Sequence, residues 1–406
     1  MTVPLLIVIV LITALSIWAT QYMQDQNLQG QAVPSPHASA GTGSGQQAAT
    51  PASFPDKAGK LPSTDKQTSS SEDVQPAGGE VSPRNGQVSL ALVGDVLLGS
   101  KVGNLLKQNG YDYPYEFVRP YLQKPDLTVA NLETPVTAGG APQEKEYVYR
   151  TSPQALPALA EAGFDLVNLA NNHVLDYGQQ GLLDTFDHLD AAQIGFFGAG
   201  RDAGEAFAAK YVEVNGVKLA FLGFSNVVPD GSWKAGSGHP GVADSYDYRK
   251  PVAAIQEAKK RADLVIVFNH WGKDRTYQPE KYQAELAHRF VDAGADLVVG
   301  SHPHVLQGFE QYGGKWIVYS LGNFIFTTNN HPETWETMIL QADCRQNGEC
   351  RLKAVPVLTK WAKPELMSGE KADKLLEHLR NISPNAEVLA DGTVTVKGGN
   401  GDNSKQ

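Results

Sequence analysis

Positive charge is what this sequence is short of: 34 lysines and arginines face 44 aspartates and glutamates, a net charge of −10. That balance gives non-specific nucleic-acid binding no electrostatic driving force. An anionic ligand has to be drawn in by a local cation, such as a bound metal. Cysteine is scarcer still. With only Cys344 and Cys350 in 406 residues, the four ligands of a structural zinc site cannot come from cysteine. No G-x-S-x-G elbow or P-loop occurs in the globular part, so serine-nucleophile and P-loop NTPase chemistry have no support.

Two further absences organise the N-terminal part of the chain. The first 23 residues carry no charged side chain, and the run from Val3 to Ala19 is almost wholly apolar. At about 1.5 Å per residue, some 20 residues cross a bilayer core of about 30 Å. There is no basic n-region and no small-x-small cleavage site, so an uncleaved single-pass anchor is the better reading and a cleaved signal peptide the other. The first basic residue is Lys57, so the Lys/Arg distribution does not give the orientation. From Gln24 to Asn85 the chain is rich in Gly, Ser, Pro, Ala, Thr and Gln, and Phe54 is its sole aromatic residue. Such a segment cannot bury enough apolar surface to offset its ordering entropy, and reads as a tether.

From Val88 the texture changes, with short apolar runs alternating with amphipathic stretches of helical length. Strands are expected at VSLALVGD, DLTVANLE, DLVNLANNH, IGFFGAG, DLVIVFNHWG, DLVVGSHPH and KWIVYSLGNFIF. Helices are expected near 102–108, 153–163, 181–192, 202–210, 252–262 and 278–293. A hairpin turns at Asn215-Gly216. Another, MILQADC/CRLKAVPVL, turns at Asn347-Gly348 and sets Cys344 and Cys350 side by side within bridging reach. This reads as an extracytoplasmic disulfide, two unrelated thiols being the other reading. The expected organisation is a transmembrane anchor over 1–23, a disordered linker over 24–86 and an α/β domain over 87–362. A C-terminal helix and strand with a disordered tail then fill 363–406.

The polar residues fall at consistent places. Asp95, Asn131 with Glu133, Asn171-Asn172-His173, His270, and His302 with His304 each follow an apolar run at once. Ligands bind beyond the carboxyl ends of strands in open α/β sheets, so the expectation is one edge of one sheet carrying all five segments. A single such residue is weak evidence, because polar residues commonly begin loops and cap helices. Five in succession are not. In SHPH, Pro303 is expected to hold the backbone extended, so that His302 and His304 point to the same side as metal ligands. Asn172 can ligate through its carbonyl oxygen, and His173 can act as an acid. A mixed imidazole, carboxylate and amide set suits two divalent ions such as Mn, Zn or Fe, bridged by Glu133.

Taken in order, GDVLLG, NLETP, NLANNHVLDYG, HWGKD, GSHPHVLQG and YSLGNF resemble the bacterial poly-γ-glutamate capsule-synthesis proteins of the CapA type. The resemblance covers roughly Val88 to Phe326. It implies an α/β, metallophosphoesterase-like β-sandwich flanked by helices, outside the cell membrane behind an N-terminal transmembrane helix. Carried over by motif, Asp95, Glu133 and His304 would hold one metal, and Glu133, Asn172, His270 and His302 the other. His173 would be the acid, and Asn131, Asn171, Asp176 and Asp274 would lie around the substrate or behind the ligands. The chain departs from the pattern in three places. Val96 and Leu97 follow Asp95 where Asp-x-His is usual, Glu133 stands where Asp is commoner, and Asp274 where Glu is frequent. Two activities follow: a metal-dependent hydrolase acting on an extracellular anionic polymer or a small phosphoester, or a non-catalytic polymer-binding or export subunit. Partners would be the membrane and other capsule-synthase subunits, with no nucleic acid.

Overall fold

Alternate side chains of the strand Gln87–Val96 leave for opposite sides, as the two-residue period of a strand requires. Val88, Leu90 and Leu92 enter one apolar cluster, and Ala91 and Val93 another. The strand Leu264–His270 does the same: Leu264, Ile266 and Phe268 join the cluster of Leu90, while Val265 and Val267 face a third. Both strands are buried on both faces, so each belongs to a sheet with a layer on either side. The shared cluster is the seam between two sheets packed face to face. Each large apolar side chain buried there contributes about 1.5–3 kcal/mol.

The structure is a computed structural model that describes residues 52–53 and 86–398. The expected anchor, nearly all of the tether and the end of the tail lie outside the described residues. Among those residues no helix is long and apolar enough to cross a membrane. One sheet runs Lys210–Val214, Val217–Ser225, Leu264–His270, Leu297–Ser301, Lys315–Leu321, Leu306–Tyr312, with Ala52–Ser53 paired at its outer edge. The other runs Gly195–Phe197, Leu166–Asn168, Leu127–Leu132, Gln87–Val96, Glu336–Arg345, Cys350–Lys360, and then Thr393–Val396 and Ala386–Val388. Its first four strands are parallel, and the later hairpins add antiparallel ones. The helices Ser100–Asn109, Leu156–Ala162 and Gly178–Ala191 cover the outside of the second sheet through Val102, Leu159 and Phe186. Arg249–Lys259 and Lys281–Asp292 cover the first through Ile255 and Phe290. The helix Glu370–Ile382 inserts Leu375, Leu376 and Leu379 into the cluster between the sheets.

Three local features differ from the sequence expectation. The helix expected over 202–210 is a single turn, Ala203–Ala206, capped by Asp202. Lys210 onward is instead captured by antiparallel pairing, Lys210 opposite Phe221, and that tertiary gain overrides the local helical propensity. A strand not anticipated, Leu306–Tyr312, forms a hairpin with Lys315–Leu321. The segment KWIVYSLGNFIF is not one strand. It leaves the first sheet at Leu321, and Asn323–Ile325 pairs beside Asp95 and Val96 in the second. The crossing depends on two glycines: Gly322 has a φ of 69°, and a Cβ on Gly94 would sit 1.9 Å from the Gly322 oxygen.

Candidate metal centre

The parallel strands of both sheets end at the same edge of the sandwich, and the polar residues lie there. Asp95 and Asn131 sit in the final turns of Gln87–Val96 and Leu127–Leu132, and Glu133 follows directly. Asn171, Asn172 and His173 lie in the loop after Leu166–Asn168. His270 ends Leu264–His270 in the other sheet, and His302 and His304 follow Leu297–Ser301. The expectation of one sheet edge is therefore corrected to two: carboxylates and amides come from one sheet, imidazoles mainly from its partner. A sandwich brings both sets together because its sheets are stacked with their parallel strands ending on one side.

The SHPH segment is likewise not extended. His302 and His304 both lie at positive φ, 98° and 58°. Leu297–Ser301 runs parallel to Lys315–Leu321 and Leu306–Tyr312 antiparallel to it, so the chain has to reverse direction between them. Two histidines held in the left-handed region are strained, which is a common feature of functional loops. Their rings still meet, with centroids 5.7 Å apart, and that of His302 lies 4.7 Å from His270.

Ligand-type atoms converge in three overlapping groups, each within 4.8 Å: Glu133 with His270 and His302; Asp95 with Glu133 and His304; and Asp274 with His302 and His304. His270 Nε2 is 2.8 Å from Asn172 Oδ1 and 3.6 Å from Glu133 Oε1. His304 Nδ1 is 3.3 Å from Asp95 Oδ2. Both oxygens of Glu133 and Nδ1 of His302 are buried without a hydrogen-bond partner. A buried polar atom left unpaired costs about 1–3 kcal/mol, so native proteins seldom keep one without a use. A divalent cation among these atoms would satisfy them, and the residues present fit one.

The electrostatics agree. Burial, then the nearby Asp95 charge, raises the Glu133 carboxyl well above the usual carboxylate range. Burial, reinforced by neighbouring histidines, keeps His270 well below the ordinary imidazole value and lowers His302 to about 4. Both imidazoles are thus neutral at pH 7, the form that ligates. Burial opposes protonation of His304 too, but Asp95 outweighs it and raises that pKa.

Behind these atoms lies an amide lattice. Asn131 Nδ2 donates to Asp95 Oδ1 at 2.8 Å, and Asn171 Nδ2 donates to the Leu132 carbonyl at 2.9 Å. Asn171 Oδ1 accepts from the main chain of His173 and Val174, which turns the loop and presents His173. His173 Nδ1 is held by Asp176 Oδ2 at 2.7 Å, under the ring of Tyr149 at 4.6 Å. Asp274 Oδ1 reaches His302 Nε2 at 3.2 Å from a side chain that is 58% exposed.

Several residues of this region were not read from the sequence. Lys145 Nζ contacts Asp176 Oδ1 at 2.7 Å, the Asn172 carbonyl at 2.6 Å and His173 Nδ1 at 3.2 Å. It comes from an irregular loop with no periodic signal. Asn323 Oδ1 meets His304 Nδ1 at 2.9 Å, and Ser301 Oγ meets His270 Nδ1 at 2.9 Å. Asn323 lies within YSLGNF, but nothing local tells which histidine it holds. Away from the centre, Cys344 and Cys350 are disulfide-bonded across their hairpin.

Fold and site together define an α/β sandwich with a buried His/Asp/Glu cluster of metal-binding composition at one edge. Residues 89–328 match the family described as "Bacterial capsule synthesis protein PGA_cap". The "PGA biosynthesis protein CapA" of Bacillus subtilis (strain 168) is 34% identical over 313 residues, 76% of this chain and 82% of the relative. The "Capsule biosynthesis protein CapA" of Bacillus anthracis is 34% identical over 287 residues, 69% of this chain and 70% of the relative. The chain belongs to the bacterial capsule synthesis protein family PGA_cap. Solved structures that superpose include the 5'-nucleotidase of Candida albicans, with a TM-score of 0.38 and 13% identity over 67% of this chain and 52% of that one. Vps29 of Chaetomium thermophilum superposes with a TM-score of 0.25 and 11% identity over 69% and 91%. At those scores they add nothing to the argument on function.

Proposed function

We propose that this is a membrane-anchored, extracytoplasmic capsule-biosynthesis protein whose domain carries a two-metal hydrolytic centre. Its substrate would be the extracellular poly-γ-glutamate polymer or a phosphoester. The observation that carries this reading is Glu133: a buried carboxylate without a hydrogen-bond partner, shared between the group containing His270 and His302 and the one containing Asp95 and His304. Asp95, Glu133 and His304 would hold one ion, and Glu133, Asn172, His270 and His302 the other. Bound divalent ions would act as Lewis acids on the scissile group and supply the local positive charge that a net charge of −10 withholds from an anionic ligand.

The chain's own residues would do the rest. Asp176 occupies Nδ1 of His173, which fixes the ring and leaves Nε2 as the nitrogen available for proton transfer at the reacting group. Lys145 holds the other oxygen of Asp176, so the pair is braced from the loop side. Exposure to an oxidising compartment is supported by the Cys344–Cys350 disulfide, and attachment to the membrane by the apolar run from Val3 to Ala19.

One observation favours a second reading, a polymer-binding subunit without catalysis. After Asp95 the same segment offers only Val96 and Leu97, both fully buried in the apolar core, so it adds no second donor. Metal-loaded protein assayed on γ-glutamyl peptides and on a phosphoester panel separates the two. Turnover that His173→Ala lowers by about 10²-fold or more, with metal content unchanged, supports the hydrolase. Binding of the polymer with no turnover by metal-loaded wild type leaves the second reading.

A further inference from the structure

The donor count around the shared Glu133 is uneven. On the side of His270 and His302, Asn172 adds its amide oxygen 2.8 Å from His270. On the side of Asp95 and His304, Val96 and Leu97 are buried apolar residues, and Asn323 is committed to His304 Nδ1 and to the Thr334 carbonyl. Three donors, one of them shared, fall short of the four to six that such ions take. Asp274 is the further carboxylate whose oxygen converges with both His302 and His304. It does so because its loop is docked on theirs: Arg275 N donates to the Pro303 carbonyl at 2.8 Å, between the two histidines. Arg275 itself sits at a φ of 56°, an uncommon conformation for arginine that the docking requires.

We propose that Asp274 is a metal ligand of this centre, completing the ion on the His304 side with a carboxylate supplied from the loop after Leu264–His270, in the sheet that also carries His304. The inference rests on the metal-centre reading above and deepens it. Because Asp274 is more than half exposed, it also makes that ion the outer one, nearer to solvent and to an incoming anionic ligand.

The test titrates Mn²⁺ alone into chelator-treated full chain in detergent, comparing wild type with Asp274→Asn by calorimetry and by the electron paramagnetic resonance of a coupled Mn²⁺ pair. The expected result is a wild type with two equivalents and a coupled signal, and a variant whose second equivalent is weakened tenfold or more with the coupled signal lost. Thermal unfolding of the metal-free proteins should coincide, since Asp274 is at the surface. Two Mn²⁺ bound by the variant with wild-type affinity would overturn this proposal and leave the metal-centre reading intact. A single equivalent in wild type that Asp274→Asn leaves unchanged would overturn it as well. No Mn²⁺ uptake by wild type would sink both.

Discussion

At the scale of single residues, Glu133 shows what the site costs the metal-free protein. Its folded-state pKa lies above the unfolded value near 4.5, so the folded form keeps a proton that the unfolded chain releases as pH rises. This group's contribution to stability is therefore fully present below pH 4.5 and is lost as pH rises through the folded pKa. Glu133→Gln removes the titration. It should raise the Tm of metal-free protein at neutral pH by about 2–4 °C, roughly 1 kcal/mol in a domain of this size, while abolishing metal binding. A lower Tm in that variant would contradict the picture of an unsatisfied carboxylate. Because burial favours the protonated form of the Glu133 carboxyl, metal affinity should fall on acidification, which calorimetry across a pH series checks. Asn323, which orients His304, belongs to the same scale. Asn323→Ala should weaken metal binding about 10–100-fold with little change in fold, as removal of such supporting partners usually does; unchanged affinity would mean His304 is positioned by Asp95 alone.

At the scale of elements, much was legible. The apolar runs ending in Asp95, Asn131, Asn168 and His270 are strands buried on both faces, and their polar ends mark the functional edge. The hairpin at Asn215-Gly216 was legible because that dipeptide accepts positive φ in a two-residue turn, and the one at Asn347-Gly348 because Gly348 supplies the positive φ of a three-residue loop between Arg345 and Glu349. The strand Leu306–Tyr312 was hidden because LQGFEQY carries Gly308 and a mostly polar second half, which no periodic rule separates from a loop. The crossing from Leu321 to Asn323 was hidden because an unbroken apolar run looks the same whether it stays in one sheet or changes sheets. Gly94 is where that crossing can be tested. With a Cβ 1.9 Å from the Gly322 oxygen, Gly94→Ala cannot be accommodated without moving one strand away from the other. Urea unfolding should show a loss of about 3 kcal/mol or more, or no folded protein. A loss under 1 kcal/mol would mean the two sheets meet less tightly than described.

At the scale of the whole molecule, the centre exists only because two sheets face each other. Asp95 and Glu133 come from one, and His270, Asp274, His302 and His304 from the other, so neither sheet alone carries it. The proposal of membrane attachment also belongs here. Full-length chain should sediment with membranes and resist extraction by high salt, whereas a variant lacking residues 1–23 should be recovered in the soluble fraction with its metal content unchanged. Full-length chain released by salt alone would rule out a spanning anchor.

The sequence by itself determined the family, the alternation of strands and helices, and which polar residues end the buried strands. Those follow from local pattern: apolar periodicity sets the elements, and polar residues ending five buried runs in succession are more than capping produces. Only the tertiary structure decided that these residues come from two sheets, that the SHPH loop reverses rather than extends, and that Lys145 and Asn323 join the site. Each of these rests on contacts between segments far apart in the chain. Periodicity describes a residue's neighbours along one element and carries no information about which loop of another sheet will be packed against it.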